Sequence, residues 1–120
     1  MPLPFILAAS VLANLTEKFS DWDSMSKWLK DLVIAKNNEY KEAPHAAKVI
    51  GVCSNESDEQ IVQVKYKWYY KEEGNWVEET ETVTIPADGV PEIILSQIKA
   101  ANGEEVDITV EVEKELQIEI

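Results

Sequence analysis

His45 and Cys53 are the only residues of their types and stand eight positions apart, across a predicted loop-to-strand transition. A cysteine nucleophile needs an imidazole within hydrogen-bond reach and a third group to orient it, and the sequence nominates no third group. The plainer expectation is a small buried thiol at Cys53 and an exposed loop imidazole at His45. Zinc requires more Cys and His than the chain contains. The acidic pairs Glu72-Glu73, Glu78-Glu79 and Glu104-Glu105 offer carboxylates for general acid and base work, which also requires a cleft to hold them. Adjacent strand residues face opposite ways, so at most one of each pair can enter such a cleft. There is no DxDxDG-type calcium loop, and four glycines leave little room for a phosphate-binding glycine motif. The expectation is a protein that is not an enzyme, with no cofactor and no metal.

Charge says more about a partner. The chain of 120 residues holds 23 acidic residues against 11 basic ones, a formal net charge of −12. That charge repels nucleic-acid phosphates and anionic membranes and favours a basic protein surface. Residues 1–48 carry six Lys and six acids, whereas residues 49–120 carry five Lys and 17 acids. Every basic residue is Lys, so the bidentate guanidinium fork used to grip phosphate is missing. A single cysteine fits a reducing, cytoplasmic setting better than a disulfide scaffold.

Two candidate partner-binding surfaces follow. One is a hairpin tip that gathers Glu72, Glu73, Glu78, Glu79 and Glu81 beside Trp76, with Trp68, Tyr69 and Tyr70 at its base. Aromatics mixed with acids suit a protein-binding surface, although cross-strand packing accounts for the same aromatics. In the returning strand Glu79 and Glu81 share parity with Val77, Val83 and Ile85. Either a bulge flips the register there or the middle of the strand projects beyond the core. The other surface is the polar face of a predicted C-terminal strand, with Asp107, Glu111, Glu113, Glu115 and Glu119. Side chains two apart on a strand are separated by roughly 6.6 Å. That is close to twice the roughly 3.4 Å phosphate interval of one DNA strand, so the row would imitate phosphates. A solvated face kept charged against edge-to-edge aggregation has the same pattern.

The elements that must position these residues are legible as changes of period. Phe5, Ala8, Ala9, Leu12, Leu15 and Phe19 recur at helical steps, predicting an apolar helix over 4–19 that serves as core or partner contact in preference to membrane association. Ser20-Asp21-Trp22-Asp23 resembles a capping box and opens a second helix over about 21–38, whose stripe runs Trp22, Met25, Leu29, Leu32, Val33 and Lys36. After a connector with Pro44, the period becomes two. A short strand over 49–53 precedes a strong one through Val62, Val64, Tyr66, Trp68 and Tyr70, then a loop at 71–75 and a partner strand from Trp76 to about Ile85. Val90, Ile94, Ile98 and Ala101 mark a helix stopped at Asn102-Gly103, and even-numbered apolar residues from Val106 to Ile120 mark a final long strand.

The predicted fold class is α+β: two N-terminal helices, an antiparallel sheet of about four strands with a central hairpin, and one further helix before the C-terminal strand. The chain reads as one domain, 1–120, with a helical part at 1–38 and a sheet-plus-helix part at 47–120. The functional expectation is an acidic inhibitor, of the immunity-protein or phage anti-defence type, that blocks a basic or nucleic-acid-binding surface of a partner. The alternative is a structural or adaptor subunit that docks through its apolar N-terminal helix.

Overall fold

The computed structural model describes residues 16–39, 45–56 and 59–120. Its elements are β1 (Thr16–Lys18), α1 (Trp22–Glu39), β2 (His45–Glu56), β3 (Glu59–Glu72), β4 (Asn75–Pro86), α2 (Glu92–Ala100), β5 (Val106–Asp107) and α3 (Thr109–Leu116), with a 3-10 turn at Ala87–Gly89. One sheet runs in the order β1-β4-β3-β2-β5. The pairs β4-β3, β3-β2 and β2-β5 are antiparallel, and β1 joins the outer edge of β4 in parallel.

The β3–β4 ribbon pairs without interruption from Ile61↔Pro86 to Glu72↔Asn75. Its turn is Glu73-Gly74 with φ of 50° and 82°, the twice-positive geometry of a two-residue turn that matches strand twist. No bulge intervenes, so the acids of β4 keep the parity of Val83 and Ile85 and the ribbon simply overshoots the helical layer. The inner face collects Val62, Val64, Tyr66 and Trp68 of β3 with Val83 and Ile85 of β4, all buried. Helix α1 packs over β4, and α2 and α3 over β2. The approach of α2 is close because Gly51 has no side chain: a Cβ there would stand 2.8 Å from Ile98 Cδ1 and 3.1 Å from Ile108 Cδ1. Helix α1 starts where predicted, its first turn capped by Asp21, whose Oδ1 accepts the Ser24 N–H at 2.7 Å. Both that bond and the Ser24 side chain hold the Asp21 carboxyl below its ordinary pKa.

Two predicted elements are corrected. Of the helix expected over 4–19, residues 4–15 lie outside the described residues, and Thr16–Lys18 form a strand. The exposed edge of β4 has backbone groups to satisfy, and β1 pairs with them at Thr82–Thr84, ending with the Phe19 N–H on the Thr84 carbonyl at 2.8 Å. The two N-terminal helices thus reduce to one in the described residues. The long C-terminal strand is a two-residue strand followed by a helix. Every helical i, i+4 step is also an even step, so Ile108, Val112 and Leu116 satisfy both periods; as a helix they are all buried, while Val110 is left 55% exposed. Asp107 turns the chain into α3 by accepting the Thr109 N–H at 2.9 Å and its hydroxyl at 2.6 Å. Thr109 Oγ1 in turn accepts the Val49 N–H at 2.9 Å, and the Val49 carbonyl accepts the Ile108 N–H at 2.9 Å, so the helix start also closes the β2 edge.

Candidate functional site

Past Val64 and Val83 the inner face of the ribbon changes character. Tyr66 lies opposite Glu81 and Trp68 opposite Glu79, so two aromatics and two carboxylates form one patch by direct cross-strand pairing. The last turns of α1 overhang this patch with Leu32, Ala35, Lys36 and Glu39, which share a helix face by their spacing of three and four. Between helix and ribbon is a cleft of about 470 Å³ with Tyr66, Trp68, Glu79 and Glu81 on its strand side. Lys36 Nζ lies 3.6 Å from Glu79 Oε2, both partly shielded from solvent. Trp68 stacks between His45, at a centroid distance of 4.9 Å, and Tyr66, at 6.3 Å, which fixes the ring plane. Tyr66 is only 1% exposed, and its hydroxyl has no hydrogen-bond partner. Burial, reinforced by the Glu81 carboxylate, pushes its phenol well above the ordinary value and keeps it protonated. A buried hydroxyl beside carboxylates, with neither donor nor acceptor, is an unfilled bonding position.

The remaining predicted site residues do not form a single tip. Glu72 and Glu73 are exposed at the turn, while Trp76 and Glu78 point to the outer face, away from Glu79 and Glu81. Glu78 faces Lys67 at 3.8 Å and accepts the Tyr69 phenol, whose pKa is pushed up by burial first and by that bond. The phosphate-spaced carboxylate row does not exist, because its residues fold as a helix. Asp107 caps that helix, Glu113 Oε2 accepts the Ile120 N–H at 2.9 Å, Glu111 is half-buried, and Glu115 and Glu119 are exposed. His45 and Cys53 sit on one strand eight residues apart, about 26 Å at roughly 3.3 Å per residue, so they cannot form a nucleophile pair. His45 belongs to β2 and not to a loop. Among the described residues, no three His, Cys, Asp or Glu side chains converge as metal ligands, and no helix is long and apolar enough to cross a membrane.

Tyr66 and Lys36 are the members of the cleft that sequence reasoning did not single out. Tyr66 sits in the alternation of the core strand and was indistinguishable there from a packing residue. Lys36 left a signal: it is the one charged residue on the apolar stripe of α1, as Glu79 and Glu81 are on the apolar parity of β4.

The outer face of the sheet has the opposite charge character. Lys65 Nζ donates to Glu105 Oε2 at 2.6 Å, Lys67 faces Glu78, and Lys48 lies 5.8 Å from the Tyr69 ring centroid. The Lys65 hydrogen bond holds the Glu105 carboxyl below its ordinary pKa, with Lys67 and Lys48 adding to the effect. The acid excess lies instead on the helical side, where residues 87–120 hold nine carboxylates against two lysines. No protein-family model, no curated protein and no solved structure matches the chain.

Proposed function

We propose that this protein is a non-catalytic, acidic binding domain that covers a basic surface of a partner protein and inhibits it by occupancy, in the manner of an immunity protein or a phage anti-defence factor. The observation that carries this reading is the unequal sharing of lysines. The described ion pairs engage Glu78, Glu79 and Glu105, while Glu111, Glu115 and Glu119 have no lysine within ion-pair distance among the described residues. Together with Glu72 and Glu73 at the exposed turn, they leave the helical side and the hairpin end strongly negative. Complementary charge of this kind accelerates encounter with a basic surface, and repulsion disfavours direct contact with nucleic acid.

Affinity capture from the native host, followed by titration of the captured complex at increasing salt, tests the proposal. A basic partner whose binding weakens as the Debye length shrinks from about 10 Å at 0.1 M salt supports it. A neutral or acidic partner, or an affinity indifferent to salt, contradicts it.

A further inference from the structure

We infer that the cleft between the end of α1 and the inner face of the β3–β4 ribbon is a receptor for one arginine side chain of the partner. This rests on the reading of the protein as an acidic binding domain and names the group that anchors it. Glu39, Glu79 and Glu81 line the cleft against the single cation Lys36, so an anionic or neutral occupant would leave carboxylates uncompensated. The unfilled position at the Tyr66 hydroxyl asks for a hydrogen-bond donor, because the carboxylate of Glu81 already makes its surroundings negative. A guanidinium carries five N–H donors in a flat, rigid fork and can serve a carboxylate and the phenol oxygen at once. An ammonium is a more strongly hydrated point charge and loses more on entering a shielded site. The volume of about 470 Å³ is within the roughly 300–1,000 Å³ range of side-chain-sized and small-ligand sites.

Lys36 explains how the site stays stable when empty of a partner. Its Nζ is 3.6 Å from Glu79, longer than the roughly 2.7–2.9 Å of a strong charge-assisted bond. It therefore acts as a resident cation that an incoming guanidinium displaces towards solvent. The exchange replaces one positive charge by another, so no carboxylate is left buried and bare at any stage.

The test uses the full chain, isotopically labelled, and follows the Trp68 indole N–H and the Tyr66 ring by NMR. The probes are N-acetyl-arginine amide, its lysine counterpart, and the citrulline analogue, which has the same shape without the charge. The arginine probe is expected to shift both sets of signals, the lysine probe less, and the citrulline probe not at all. Glu81→Gln is expected to weaken arginine binding about tenfold, the scale of one charge-assisted hydrogen bond, and Lys36→Met to tighten it by removing the competing cation. Equal shifts from citrulline or lysine, or no shift in either the unaltered protein or Lys36→Met, would overturn the inference. The opposite signs of the two substitutions separate a binding role from damage to the fold. Arginine binding by a protein that captures no basic partner would overturn the proposed function and keep the cleft. A captured basic partner indifferent to both substitutions would do the reverse.

Discussion

Near Pro86 the inner face of the β3–β4 ribbon presents Val62, Val64, Val83 and Ile85, each almost fully enclosed beneath the helical layer. A few residues further along, the same face of the same strands presents Tyr66, Trp68, Glu79 and Glu81 around a cleft. Register and alternation are identical in both regions, so strand geometry does not distinguish them. What differs is the cover. Over the first region helices close with Leu29, Ile94 and Ile98, all fully buried; over the second, α1 offers Lys36 and Glu39. A sheet face is thus core or site according to which helix turns lie on it, and here the apolar stripe of α1 runs out before the ribbon does.

The contrast can be broken most forcefully at the covered end. Ile98 is fully buried against the bare backbone of Gly51. Ile98→Ala is expected to cost about 2–5 kcal/mol, through lost burial and the cavity left behind. Urea unfolding reads this directly, and a loss below about 1 kcal/mol would show that α2 is not part of the stabilising core.

A smaller effect is expected at the far end of the ribbon. Gly74 adopts φ of 82° at the turn, so Gly74→Ala is expected to cost about 1–2 kcal/mol, from placing a Cβ in left-handed backbone. No atom lies within 4 Å of the new methyl, so crowding adds nothing. A stability unchanged by this substitution would mean that the turn relaxes to another type.

Smaller still is the outer-face pair Lys65–Glu105. The Glu105 carboxyl has a lower pKa folded than unfolded, so its contribution is present above the ordinary carboxylate pKa and fades as pH falls below it. The pair is largely exposed, and after solvent screening its worth is at most about 0.5 kcal/mol. Lys65→Met is therefore expected to flatten the acid limb of the stability–pH curve slightly and leave the neutral region almost unchanged. A large loss at pH 7 would contradict that screening.

Much of this architecture is legible in the residues. The twice-positive turn, the two strands of the ribbon, and the helices at 22–39 and 92–100 all follow from period and punctuation. The C-terminal segment was ambiguous because Ile108, Val112 and Leu116 fit a period of two as well as 3.6, and only burial against β2 decides between them. The parallel strand β1 depends on an edge that β4 creates 66 residues away, as the pairing Thr16↔Thr82 shows, and no local pattern announces it. For the site, Glu79 and Glu81 were identifiable as acids on an apolar parity. Their segregation from Glu78 follows from alternation, but the bond-free hydroxyl of Tyr66 becomes visible only when α1 is placed above it.

The most direct measurement is the equilibrium stability of Tyr66→Phe. If the open end of the ribbon holds a polar group for an occupant and not for the fold, removing that hydroxyl leaves no bond broken and relieves a buried, unpaired dipole, typically about 1–3 kcal/mol unfavourable. The variant is then expected to be as stable as the original chain or more so, and to lose the decline in stability that raised Tyr66 ionisation imposes as pH climbs past the ordinary phenol value. A loss of stability greater than about 1 kcal/mol would mean that the hydroxyl bonds within the folded chain, as net worth of that size implies a partner, and the cleft would then be an ordinary piece of the core.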